Sequence, residues 1–261
     1  MIPAISHIGI VGYGNVGSHL ARILSRNTDA NLTIYNRSKI PRDQTISNSR
    51  ITFTRDIKNL EEADFILLSV SDDAIGPVLK KLRDAISTQP IVVHTAGSIP
   101  SDILESYFDR YGVLYPLQTF SKTKELDDID FPVFVTGSDP VSKEHILSIA
   151  QCITSSVHEI DDNQRLGLHV AAVFTSNYTN AMYSIGHQIC VDHRLDFKFL
   201  LPLIEESAEK VRYLDPPDAQ TGPAVRGDLN VIQKHRAFLK ENHPQFRELY
   251  DLLAHFINQN L

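Results

Sequence analysis

His7-Ile-Gly-Ile-Val-Gly12-Tyr-Gly14-Asn15-Val16-Gly17-Ser-His-Leu20 opens on a short apolar run and passes through three glycines into a segment of helical character, Asn15 to Ser25. A strand covered on both faces of its sheet needs no polar alternation, and His7 to Val11 has that form. Each glycine of the Gly12-x-Gly14-x-x-Gly17 spacing has a physical task. Gly12 allows the tight turn out of the strand, Gly14 lets the backbone approach a pyrophosphate, and Gly17 lets the helix pack closely on the strand. The phosphate then faces the helix N-terminus, so Asn15 and Val16 join the glycines as candidate binding residues. A strand before the motif, a helix after it and a second strand ending about 20 residues on favour a dinucleotide site over a glycine-rich structural turn.

That second strand ends Ile34-Tyr-Asn36-Arg37-Ser38-Lys39. A site selective for NAD places Asp or Glu there, on the ribose hydroxyls. No acid is present; Arg37, Ser38 and Lys39 offer a guanidinium, a hydroxyl and an ammonium to a 2′-phosphate, which points to NADP, with Asn36 beside them. Further strands are expected at Leu32 to Tyr35, Ile51 to Thr54, Asp64 to Val70, Ile91 to Thr95, Gly112 to Tyr115, Phe131 to Val135 and Val157 to Ile160. Helical stripes intervene, Ile75, Val78, Leu79, Leu82 and Ile86 among them. The pattern predicts an α/β fold with a doubly wound, mostly parallel sheet over residues 1–160, followed by an all-helical domain over 161–261.

In an open parallel sheet ligands lie along the carboxyl ends of the strands. The fourth and fifth strands end in Ser69-Val-Ser71-Asp72-Asp73 and His94-Thr95-Ala-Gly97-Ser98, so Ser71, Thr95 and Gly97 are expected beside the cofactor, and His94 and Ser98 near the chemistry. From Gln164 to Leu195 there is no proline and no strand alternation, which predicts one long helix. On it His169, Val173, Asn177 and Asn180 fall at i, i+4, i+8 and i+11, one face of a regular helix. A helix of that length also suggests packing against a second subunit, hence a homodimer. Asp228 is a plausible N-cap for a later helix.

With Lys plus Arg at 25 and Asp plus Glu at 32, the net charge of −7 disfavours a nucleic-acid partner. The only cysteines, Cys152 and Cys190, form no CxxC pair, which argues against a disulfide framework or zinc cage. His187 and His193 have no metal-ligand spacing, no HExxH is present, and no GxSxG elbow supports a hydrolase, so no metal is expected. The amino-terminal run lacks the charge and apolar length of a signal peptide, and no apolar run reaches membrane-spanning length. A cytoplasmic protein with no membrane partner is the expectation.

Beyond these readings, the chain resembles a superfamily that joins an N-terminal NADP-binding domain to a helical, dimer-forming domain. Its members include β-hydroxyacid and 6-phosphogluconate dehydrogenases and pyrroline-5-carboxylate reductases. Gly12-Tyr-Gly14-Asn-Val-Gly17, His94-Thr-Ala-Gly97-Ser98, Tyr115-Pro-Leu-Gln-Thr-Phe120, Phe174-Thr-Ser-Asn177-Tyr and Thr221-Gly-Pro-Ala-Val-Arg226-Gly-Asp228 resemble an uncharacterised NADP oxidoreductase branch of it. Asn177 is similar to an asparagine that follows a catalytic lysine in the hydroxyacid dehydrogenases. From Glu144 to Phe197 this chain has no lysine. The resemblance implies the NADP(H) site and the helical dimer; the expected reaction is hydride transfer between NADP(H) and a small carbonyl or imine compound, with Asn177 orienting substrate and, that lysine being absent, His169 or His94 as proton donor. The alternative is a non-catalytic NADPH-binding dimer with a regulatory or sensor role.

Overall fold

The structure, a computed structural model, describes residues 5–39, 46, 48–121 and 130–259. Eight strands form one sheet: β1 (His7–Val11), β2 (Asn31–Tyr35), β3 (Ile51–Thr54), β4 (Phe65–Leu68), β5 (Ile91–His94), β6 (Tyr111–Pro116), β7 (Val133–Gly137) and β8 (Val157–Glu159). Their order is β3-β2-β1-β4-β5-β6-β7-β8, parallel throughout except where β7 runs antiparallel to β6. The chain works outward from β1 to β3, then returns to the other side of β1 with β4. The connections after β1 and β4 therefore diverge at the same carboxyl edge, where doubly wound sheets bind ligands.

Side-chain alternation sorts the core into two layers. Ile8 and Ile10 point to the face where Leu20, Ala21 and Leu24 of α1 (Asn15–Asn27) pack, together with Ile146 and Ile149 of α3 (Pro140–Gln151). Val11, Ile66 and Leu68 point to the other face, against Ile75, Leu79 and Leu82 of α2 (Asp72–Ala85). A strand buried between two such layers gains on both pleats, about 1.5–3 kcal/mol for each large apolar side chain removed from water. This is why β1 and β4 carry no polar alternation.

The chain divides into two compact units, residues 1–175 and 176–261. The helix expected over Gln164 to Leu195 begins at Asp162 and ends at Asp192, in three consecutive segments: α4 (Asp162–Ala172), a π-helical stretch (Val173–Tyr178) and α5 (Thr179–Asp192). Its start is set by a capping box, in which the Asp161 carboxylate accepts from the Gln164 N–H while the Gln164 side chain accepts from the Asp161 N–H. Its end is set by Arg194, which turns the backbone into the left-handed region at φ 57°. The π stretch is a correction to uniform helical spacing. Its i→i+5 pattern holds more residues per turn, so the arithmetic that placed His169 and Asn177 on one face does not run through it.

The second unit continues with α6 (Leu201–Lys210), α7 (Pro216–Ala219), α8 (Leu229–Asn242) and α9 (Arg247–Gln259), and no strand occurs among its described residues. Asp228 caps α8 as its sequence position predicts, accepting from the Val231 N–H at 3.2 Å. Residues 260 and 261, the end of the expected helical domain, lie outside the described residues.

Candidate functional site

The three glycines differ in what the protein itself asks of them. Gly12 has φ +99°, and a Cβ there would stand 2.2 Å from the Ser69 carbonyl oxygen, at the end of β4. A Cβ on Gly17 would stand 2.2 Å from the Gly12 carbonyl oxygen. Both are glycines because the turn and the helix packing leave no room. Gly14 is exposed, with φ −80°, and a Cβ on it would meet no atom of the protein within 4 Å. Nothing in the packing requires glycine there. Gly14 is also the N-cap of α1, and its helix start receives no side-chain cap. The first N–H groups of α1 therefore follow an exposed glycine with no side-chain cap in front of them, a helix start that fits a pyrophosphate.

The turn after β2 is tied to this glycine turn. The Gly12 N–H donates to the Tyr35 carbonyl at 2.9 Å, and the Tyr13 N–H to Asn36 Oδ1 at 3.2 Å. Asn36 Nδ2 donates in turn to the Ser38 carbonyl at 2.8 Å. Asn36 thus spends its side chain on shaping the turn. Arg37, Ser38 and Lys39 are exposed, and among the described residues their side chains have no hydrogen-bond or ion-pair partner. A guanidinium, a hydroxyl and an ammonium on one exposed turn suit a phosphate.

At the ends of β4 and β5 two loops are pinned together. Ser98 Oγ donates to Asp72 Oδ2 at 2.5 Å, and the Thr95 N–H and Oγ1 both reach the Leu68 carbonyl, at 3.1 and 3.4 Å. Ser71 sits exposed at the N-cap of α2, with its side chain unused as a cap. His94 has no exposed surface. Its Nδ1 accepts from the Ala96 N–H at 3.2 Å, so the proton is on Nε2, which donates to the Pro100 carbonyl at 3.3 Å. Burial, and then the guanidinium of Arg165, push its pKa from 6.5 down to about 4. A ring so engaged is neutral near pH 7 and holds the turn that presents Gly97 and Ser98.

The N-terminal part of α4 closes over this turn. Asp162 accepts from the Ser101 N–H at 2.8 Å and the Ser101 hydroxyl at 3.0 Å, and pairs with Arg165 at 2.6 Å. Burial works against the Asp162 carboxylate, but these donors outweigh it and hold its pKa below the usual value. Arg165 is 1% exposed and also donates to the Ile99 carbonyl, while its Nε finds no partner among the described residues. One turn further, the His169 ring lies directly on Gly97: a Cβ there would come within 2.5 Å of His169 Nδ1. Tyr115, at the end of β6, meets the same Nδ1 with its hydroxyl at 3.0 Å, and the two rings cross edge to face at 6.0 Å.

The structure therefore brings His169, Gly97, Ser98 and His94 into one neighbourhood, all within the first unit. Asn177 lies in the π stretch, exposed, in the second unit. Tyr115, Arg165 and Asp162 belong to the first-unit cluster and were missed from sequence. Tyr115 carried a usable signal: the carboxyl-end rule that selected the loops after β4 and β5 applies equally to β6. Arg165 and Asp162 carried none, because a charged pair at i, i+3 reads as a solvated helix face. Among the described residues no group of three or more His, Cys, Asp or Glu could hold a metal ion, and no helix is long and apolar enough to cross a membrane.

Comparison with known proteins gives two matched regions. Residues 1–118 match a Rossmann-like domain, and residues 131–257 match a domain of unknown function, DUF2520. A provisionally named NADP oxidoreductase from Bacteroides fragilis is 35% identical and superposes with a TM-score of 0.89, over 98% of this chain and 99% of that one. A Plasmodium falciparum pyrroline carboxylate reductase, solved with NADP bound, shares the fold at 16% identity and a TM-score of 0.62, over 98% of this chain and 100% of that one. The chain is 34% identical over 116 residues to the NAD(P)+ glycerol-3-phosphate dehydrogenase of Fusobacterium nucleatum, which is 39% of this chain and 34% of the dehydrogenase. It thus spans about a third of that curated relative's length. With its Rossmann-like half, its second half and a full-length relative all matched, the chain belongs to the family in which a Rossmann-like domain precedes the domain DUF2520.

Proposed function

We propose that the chain is an oxidoreductase that uses NADP(H) to transfer a hydride to or from a small carbonyl or imine compound. The observation that carries this reading is Gly14, a glycine whose Cβ space the protein leaves empty at an uncapped helix start. The exposed cations of the turn after β2 and the absence of an acid there favour NADP over NAD. The B. fragilis relative, named for NADP, supports the same choice.

When bound, the nicotinamide supplies or accepts the hydride. In the reducing direction the chain's own part is to hold the reacting carbon in place and deliver a proton. The N–H groups of Asn15, Val16 and Gly17 bind the pyrophosphate; Arg37, Ser38 and Lys39 bind the 2′-phosphate. Ser71 and Thr95 would border the nicotinamide end, with the backbone N–H groups of Gly97 and Ser98 beside its carboxamide or a developing oxyanion. As the new C–H bond forms, His169 releases a proton to the substrate oxygen or nitrogen: an N–H bond of the ring breaks and an O–H or N–H bond forms. Asn177 is retained as a candidate substrate-orienting residue, on its resemblance alone. The absence of lysine from Glu144 to Phe197 favours a second reading, an NADPH-responsive protein without turnover. NADPH consumption in the presence of small keto acids and cyclic imines separates the two.

Arg37→Ala should weaken NADPH binding by ~1.5–3 kcal/mol, the scale of a hydrogen bond to a charged group, and leave NADH binding nearly unchanged. Titration of both cofactors checks it, and equal losses for the two would remove the claim that this turn reads the 2′-phosphate. We further infer a homodimer. In the second unit Phe199 is 74% exposed, Leu229 69% and Leu203 64%, more exposed apolar surface than isolated residues on a monomer require. Light scattering should return about twice the 29.3 kDa chain mass, and a single-chain mass at micromolar concentration would count against the dimer.

A further inference from the structure

The Tyr115 side chain is 7% exposed, and its hydroxyl has one hydrogen bond among the described residues, to His169 Nδ1 at 3.0 Å. Burial raises the phenol pKa, with Arg165 opposing, so the hydroxyl keeps its proton at cellular pH. A buried O–H needs an acceptor. If His169 carried its proton on Nδ1, the phenol oxygen could accept that bond but its own hydrogen would have nowhere to go. If Nδ1 is bare, both partners are satisfied. The ring lies close over the Gly97 backbone: its Nδ1, Cγ and Cβ fall within 3.0 Å of where a Gly97 Cβ would stand. The Gly97 backbone and the Tyr115 hydroxyl both meet it at Nδ1.

We propose that Tyr115 is a positioning residue that holds His169 in the single tautomer with the proton on Nε2, and that Gly97 is glycine to seat that ring. The arrangement leaves Nε2–H, which has no partner among the described residues, as the one ring donor available to a ligand. This rests on the reading of His169 as the proton donor, and it names the group that makes the histidine ready for that task. Protonation at Nδ1 would turn the donor toward the protein interior.

The test is nitrogen NMR on the full-length protein, above the ordinary histidine range, with the His169 resonances assigned by their loss in His169→Gln. The wild type should show one neutral form, with a bare Nδ1 and a protonated Nε2. Tyr115→Phe keeps the ring and removes the hydroxyl, and should convert this into a mixture of tautomers. NADPH affinity on the same samples should stay within about twofold, and turnover of any accepted imine or keto acid should fall ~10–100-fold, the scale of a misplaced catalytic group. Gly97→Ala, which pushes the ring directly, should shift the same His169 resonances. A wild-type proton on Nδ1, or an unchanged tautomer in Tyr115→Phe, would overturn the assignment of Tyr115. Failure of the wild type to bind NADPH would overturn the oxidoreductase reading instead, since the tautomer measurement needs no cofactor.

Discussion

Between pH 7 and pH 4 the wild-type protein should lose about 3 kcal/mol of unfolding free energy that a His94→Gln variant does not lose. The cause is the buried ring at the end of β5, whose pKa is pushed from 6.5 down to about 4 by burial and by Arg165. As pH falls below 6.5 the unfolded chain binds a proton at this histidine and the folded chain does not. The unfolded state gains stability through the whole interval, and the loss levels off once the folded ring is protonated near pH 4. Gln has no such proton to bind. Its variant starts less stable, because the Ala96 and Pro100 contacts are imperfectly replaced, but its pH profile should be flatter by the stated amount. Denaturant titrations at a series of pH values measure both. Parallel profiles would mean that His94 titrates normally, and that its place is not to hold the Gly97-Ser98 turn as a neutral ring.

The second large effect concerns the other histidine. His169→Ala should leave NADPH affinity within about twofold and lower turnover by ~100-fold or more, about 2.7 kcal/mol of transition-state stabilisation. The two histidines meet the same turn differently: His94 is buried with both nitrogens bonded to backbone, while His169 Nε2 has no partner among the described residues. Only the second can exchange a proton with a ligand without breaking the fold. Normal turnover in His169→Ala would move the proton donor to water or another side chain, and with it would go the role assigned to Tyr115.

The sheet was legible because its central strands, β1, β2, β4 and β5, are short, largely apolar runs bounded by turn residues, and the glycine spacing was legible because three backbone tasks recur at fixed offsets. Gly12 and Gly17 stand where that reading put them, in contact with Ser69 and with each other's backbone. The cap at Asp228 was local chemistry and was equally plain. What escaped was long-range. Tyr115 and His169 are 54 residues apart, and Arg165 reaches Ile99 across 66. Neither pair leaves a periodic trace, since a single contact between a strand end and a helix needs only one residue on each side. The π stretch was invisible for a different reason. Val173 to Tyr178 contain no strong helix former, but weak propensity does not distinguish an α-helical turn from a π-helical one; the extra residue per turn is a choice of hydrogen-bond pattern.

Cofactor binding at the glycine turn is the claim on which the rest depends, and Gly14→Ala tests it with least ambiguity. At φ −80° with no atom within 4 Å of the added Cβ, alanine fits the folded backbone. Its restriction of the unfolded chain and its poorer N-cap character roughly offset, so the unfolding free energy should stay within about 1 kcal/mol of the wild type. The same methyl stands where a pyrophosphate must approach, and NADPH affinity should fall at least ~10-fold, as the loss of a close backbone contact to charge predicts. A variant that keeps its stability and loses NADPH is the result expected. One that keeps both, binding NADPH as tightly as the wild type, would contradict the placement of the dinucleotide at this turn.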